Sequence, residues 1–89
     1  MNNYVALYWR HGILHSEDSS TYRDAYSSLK AGENYETLFP EGIYNRTTNI
    51  LDRYSTARNT FFEDTEPNLP ALKKELGIDK DPIITVLDM

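Results

Sequence analysis

The chain has 89 residues, no cysteine, and a formal charge of −5 from 14 acids and nine Lys or Arg residues. That length suits one domain spanning residues 1–89 and is too short for two, while the lack of cysteine excludes disulfide staples, thiolate zinc sites and a thiol nucleophile. A negative field opposes phosphate backbones, so direct nucleic-acid binding is not expected, and a partner with a basic surface is favoured.

Seven Tyr, three Phe and one Trp supply large apolar areas, which argues for a folded domain rather than a tail. The N-terminal stretch MNNYVALYWRHG has no basic run and no long apolar run, so neither a signal peptide nor a membrane span is expected. A secreted domain of this size would usually need staples, and the expected location is therefore cytoplasmic.

Residues 4–9, Tyr-Val-Ala-Leu-Tyr-Trp, are aromatic and β-branched and read as a strand with both faces apolar. His11-Gly12 then reads as a two-residue type I′ turn, which needs positive φ at both positions. The strand returns through Ile13, Leu14 and His15. Such a turn pairs Arg10 with Ile13, Trp9 with Leu14 and Tyr8 with His15, and paired residues share a sheet face. Val5, Leu7, Trp9 and Leu14 then form a core face. Tyr4, Ala6, Tyr8, Arg10, Ile13 and His15 form the opposite one.

Ser16 to Gly32 reads as a helical segment, with the acids of Ser16-Glu17-Asp18-Ser19-Ser20 at its start. Thr21 and Asp24 are spaced as a capping box, and Tyr22, Ala25, Tyr26 and Leu29 fall on one helix face. Lys30 and Gly32 suit the helix end. Pro40-Glu41-Gly42 reads as a turn of type I character. Over residues 47–63 the spacing of Ile50, Leu51, Tyr54, Ala57, Phe61 and Phe62 favours a helix. The rival is a hairpin pairing Ile43-Tyr44 with Ile50 to Tyr54, because Thr and Asn are poor helix formers. Asn45-Arg46-Thr47 matches a glycosylation sequon, which without an export signal reads as a chance match.

Asn68 can cap a short helix carrying Leu69, Leu72 and Leu76, with Pro70 in its first turn and Gly77 closing it. Ile83-Ile84-Thr85-Val86-Leu87 is an almost unbroken apolar strand, expected centrally in the sheet beside the first strand. The expected fold class is α+β, a small, mainly antiparallel sheet formed by the N-terminal hairpin and the C-terminal strand. Two or three helices would pack against one face of it.

Catalytic and metal chemistry finds little support. His11 and His15 are four apart but straddle a turn, so their imidazoles diverge, and no third His exists to complete a zinc site. Asp79-Lys80-Asp81 lacks the further acid, the Gly and the closing Glu of a calcium loop. No nucleophile elbow is present, and the four glycines at 12, 32, 42 and 77 are isolated, so no phosphate-cradling loop forms. Neither a metal nor any other cofactor is expected, and the chain reads as a non-enzyme.

Two functional readings follow from the surface. In the first, a small acidic interaction protein docks on a partner protein with a basic surface and modulates or inhibits it. By analogy of composition alone, small acidic proteins without catalytic signatures often act this way, phage-encoded inhibitors among them. Residues 61–89 carry seven acids against three bases, and Glu63, Asp64, Glu66, Asp79 and Asp81 form the expected acidic patch. In the second, Tyr4, Tyr8, Arg10 and His15 bind a small anionic or nucleotide-like aromatic ligand, since they combine stacking surface, a cation and a titratable ring. A homodimer through the same face fits either reading.

Overall fold

A computed structural model describes residues 3–32, 38–54 and 68–87. These residues form an α+β fold with a five-stranded mixed sheet in the order β2-β1-β3-β4-β5. The strands are β1 (Tyr4–Arg10), β2 (Ile13–Ser19), β3 (Leu38–Asn45), β4 (Ile50–Tyr54) and β5 (Ile83–Leu87). The helices are α1 (Tyr22–Gly32) and α2 (Leu69–Leu76).

β1 and β2 make the expected hairpin. His11 and Gly12 have φ of 52° and 77°, and the register pairs Arg10 with Ile13, Trp9 with Leu14 and Tyr8 with His15. β2 nevertheless runs on to Ser19, where a helix start was expected. Pairing of Ser16 to Ser19 with Leu7 to Tyr4 gives those backbone groups partners that an isolated helix start could not supply. α1 therefore begins only at Tyr22, with the Asp24 backbone N–H donating to Thr21 Oγ1 at 3.1 Å.

The expected turn at Pro40-Glu41-Gly42 lies instead inside β3, which pairs antiparallel with β1. Leu7 faces Gly42 and Tyr8 faces Pro40, so Glu41 is the extra residue of a β-bulge. A bulge is where a sheet interior tolerates a residue without a backbone donor, and Pro40 occupies it. Gly42 is needed for close approach, because a Cβ there would overlap the Asp52 carbonyl oxygen and lie 3.0 Å from Arg53 Cα.

The helix favoured over residues 47–63 is overturned where the structure describes that range. Residues 50–54 form β4, antiparallel to β3, as the rival hairpin required. The Thr- and Asn-rich run builds the connection. Asn45 Oδ1 accepts from the backbone N–H of Thr47 at 2.8 Å and of Thr48 at 3.3 Å, and Asn49 takes a φ of 60°. Residues 55–63 lie outside the described residues.

α2 has the expected caps. Asn68 Oδ1 accepts from the Ala71 N–H at 3.2 Å, and Gly77 closes the helix in the left-handed region. The N–H groups of Gly77 and Ile78 return to the Lys74 and Lys73 carbonyls, which satisfies helix-end acceptors.

The C-terminal strand is a correction in position and direction. β5 sits at the sheet edge, parallel to β4 and remote from β1. Both flanks of β1 are filled by β2 and β3, and a parallel pairing needs a crossover, which carries α2 across one face. The helices likewise lie on opposite faces rather than one. Ala25 and Leu29 of α1 pack on Ala6 and Ile43, with Tyr4, Tyr8, Tyr22 and Tyr26 around them. Leu72 and Leu76 of α2 pack on Val5, Leu7, Leu14, Tyr44 and Leu51, with Trp9 alongside. With a helix above and another below, the centre of β1 is sealed, and Val5, Ala6 and Leu7 are fully buried.

Candidate functional site

The face expected to carry Tyr4, Tyr8, Arg10 and His15 is the one that α1 covers in part. The helix seals its middle over Ala6 and leaves two separate ends. At one end Tyr8 and His15, paired across the hairpin, stack with ring centroids 5.5 Å apart and planes 13° apart. Arg10 is exposed beyond them, at the turn. Tyr4 belongs to the other end, four residues and about 13 Å along the strand from Tyr8. These residues share a face but do not converge on a single pocket.

Tyr4 joins a different group. Its ring meets that of Tyr22, the first residue of α1, edge to face, with centroids 5.8 Å apart and planes at 87°. The two rings line a cleft of about 330 Å³ together with Ile43, Asn45, Ile50, Asp52 and Thr85. Strand register explains the convergence. Tyr4 faces Asn45, Asn45 faces Ile50, Ile43 faces Asp52, and Asp52 faces Thr85, so all of them project on the α1 side of the sheet.

Asp52 is the acid of this cleft. One carboxylate oxygen accepts from Tyr22 OH at 3.3 Å, and the other accepts from Thr85 Oγ1. Among the described residues no cationic side chain pairs with it. Its negative field is felt by Tyr22, whose hydroxyl is pushed up to about 12 by burial first, then by the Asp52 charge and hydrogen bond, then by Tyr26 and Tyr4. An anion at the Tyr4 end would meet that same field, so the cleft suits a cation better.

The opposite face holds a second polar group at the bulge. Glu41, only 2% exposed, accepts from Arg53 Nε at 3.1 Å and from Trp9 Nε1 at 3.4 Å. The three side chains close the α2 face of the sheet and are structural in their surroundings.

The sheet ends in β5, and among the described residues no strand pairs with its outer edge. Ile83 N–H donates inward to Asn49 O at 2.8 Å. Backbone direction alternates along a strand, so Ile84 and Val86 aim their N–H and C=O groups outward. The side chains are also open, with Ile83 57%, Ile84 38% and Val86 66% exposed. At the other edge β2 carries exposed Glu17 and Asp18, charges that deter strand addition. β5 has no charged residue.

Of the expected acidic patch, Asp79 and Asp81 are exposed in the loop leading into β5. Asp81 pairs with Lys73 Nζ at 3.0 Å, and its carbonyl accepts from Asn49 Nδ2 at 3.2 Å. Glu63, Asp64 and Glu66 lie outside the described residues. Sequence reasoning missed Asp52, Tyr22 and Thr85 as partners, and Ile84 and Val86 as an open edge. Adopting the β3–β4 hairpin would have exposed the first omission, since an acid inside a short apolar strand then stands out.

Among the described residues no group of three or more His, Asp or Glu side chains could hold a metal ion, and no helix is long and apolar enough to cross a membrane. Comparison with known proteins gives no significant match to any family model, curated protein or solved structure.

Proposed function

We propose that this chain is a protein-interaction module that takes an extended, basic segment of a partner protein as an added strand on β5. It acts by binding, and modulates or inhibits the partner by occupying that segment. The observation that supports this most is the apolar, uncharged edge strand with Ile83, Ile84 and Val86 open to solvent. Outward backbone groups at Ile84 and Val86 supply affinity in strand addition, and the flanking side chains supply selectivity. The net charge of −5, with Asp79 exposed in the loop before β5, favours a cationic partner over a second acidic copy of the same chain.

Panning a random decapeptide display library against the protein tests this reading. Selected peptides are expected to alternate β-branched or aromatic residues with Lys or Arg. Their binding should weaken with added salt and be lost in Val86→Pro, which removes an outward donor while sparing the β4 ladder. Selection of peptides without basic residues, binding indifferent to Val86→Pro, or sedimentation as a β5-paired dimer would each overturn it.

A further inference from the structure

We infer that the cleft between Tyr4, Tyr22 and Asp52 is a pocket for an alkylammonium ion, the head group of a lysine side chain. The inference rests on the strand-docking reading for its biological source, since the cleft borders β5 through Thr85.

The chemistry of the walls selects the ligand. Two tyrosine rings at right angles, edge to face, line a common space, and aromatic walls attract an organic cation. The Asp52 carboxylate adds a negative charge at the floor of that space. A carboxylate has four lone-pair sites, and Tyr22 OH and Thr85 Oγ1 take one on each oxygen. One acceptor site therefore remains on each oxygen. An ammonium is a compact point charge that one open carboxylate oxygen satisfies. Ile43 and Ile50 offer apolar wall for a methylene stem. A cleft of about 330 Å³ lies at the lower end of the ligand-pocket range and is ample for a lysine side chain.

Position connects the cleft with the edge. Asp52 faces Thr85 across the β4–β5 ladder, so a residue of an added strand opposite Thr85 would project on the same face. The added strand would lie about 10 Å from β4, two strand spacings. A lysine stem crossing over Thr85 brings its ammonium to Asp52. The Tyr22 hydroxyl in the cleft is raised first by burial and then by the Asp52 charge beside it.

The test uses n-butylammonium chloride as the probe, followed by NMR of the intact protein, with 1-butanol as the neutral control. Saturable shifts are expected at the Tyr4 and Tyr22 rings and at the Asp52 and Thr85 amides, with none from butanol. Asp52→Asn should weaken the affinity by about tenfold or more, as expected for loss of a charge-assisted bond. Tyr4→Leu, which keeps the carboxylate, should weaken it by about threefold. Each variant is checked for a folded spectrum, so either can decide the matter if the other fails to fold. Equal shifts from butanol, unchanged affinity in a folded variant, or no saturable shift at all would overturn the pocket. Butylammonium needs no strand pairing, so this failure is read separately from the peptide selection that tests the docking edge.

Discussion

At the scale of single residues, the Tyr22–Asp52 contact makes a prediction about alkaline stability. The Tyr22 hydroxyl, ordinarily near 10, is raised to about 12 by burial and by the Asp52 carboxylate. Its folded-state value lies above the unfolded one, so the contact contributes in full below pH 10 and is lost as pH rises towards 12. Tyrosinate absorbance should therefore show one tyrosine titrating late, and Tyr22→Phe should remove that late step. The same substitution should flatten the fall of stability between pH 10 and 12. An unchanged late titration in Tyr22→Phe would assign it to another tyrosine. No local pattern marks this pair, since the partners stand 30 positions apart and meet only after α1 packs on β1 and β3. The Tyr8–His15 contact was legible by contrast, because a two-residue turn fixes cross-strand neighbours from sequence alone.

At the scale of elements, legibility divides by whether local chemistry determines the outcome. The β1–β2 turn and both ends of α2 carry their own instructions in His11-Gly12, Asn68, Pro70 and Gly77. β3 and β4 do not. Pro40-Glu41-Gly42 has the residues of a turn, but pairing with β1 converts it into a bulge in a central strand. Ile50, Leu51 and Tyr54 fit helical spacing as well as a short strand, and only cross-strand partners decide between them. The bulge also buries Glu41 against Arg53. Glu41→Ala should lower stability by about 3–5 kcal/mol, the range for breaking a buried ion pair. Replacing both residues by apolar ones of similar volume should recover most of the loss. Urea unfolding midpoints measure this, and a Glu41→Ala loss below about 1 kcal/mol would contradict a buried, paired Glu41.

At the scale of the whole molecule, the two helices among the described residues lie on opposite faces, cover the centre of the sheet and leave its two edges to differ. One edge is polar and acidic at β2, and the other is apolar at β5. That asymmetry was hidden in the sequence. An almost unbroken apolar strand implies cover on both faces, yet here β5 is reached by a crossover and joins the sheet last. An exposed apolar edge in a chain of net charge −5 is the feature from which the proposed docking of a basic segment follows. Residue-resolved amide hydrogen exchange, on dilute protein alone and then with a display-selected peptide, tests it most directly. The inward amides of Ile83 and Thr85 should exchange slowly in both states. Those of Ile84 and Val86 should exchange fast alone and slow sharply when the peptide binds. Protection of Ile84 and Val86 in the isolated protein, or no added protection with bound peptide, would contradict the account.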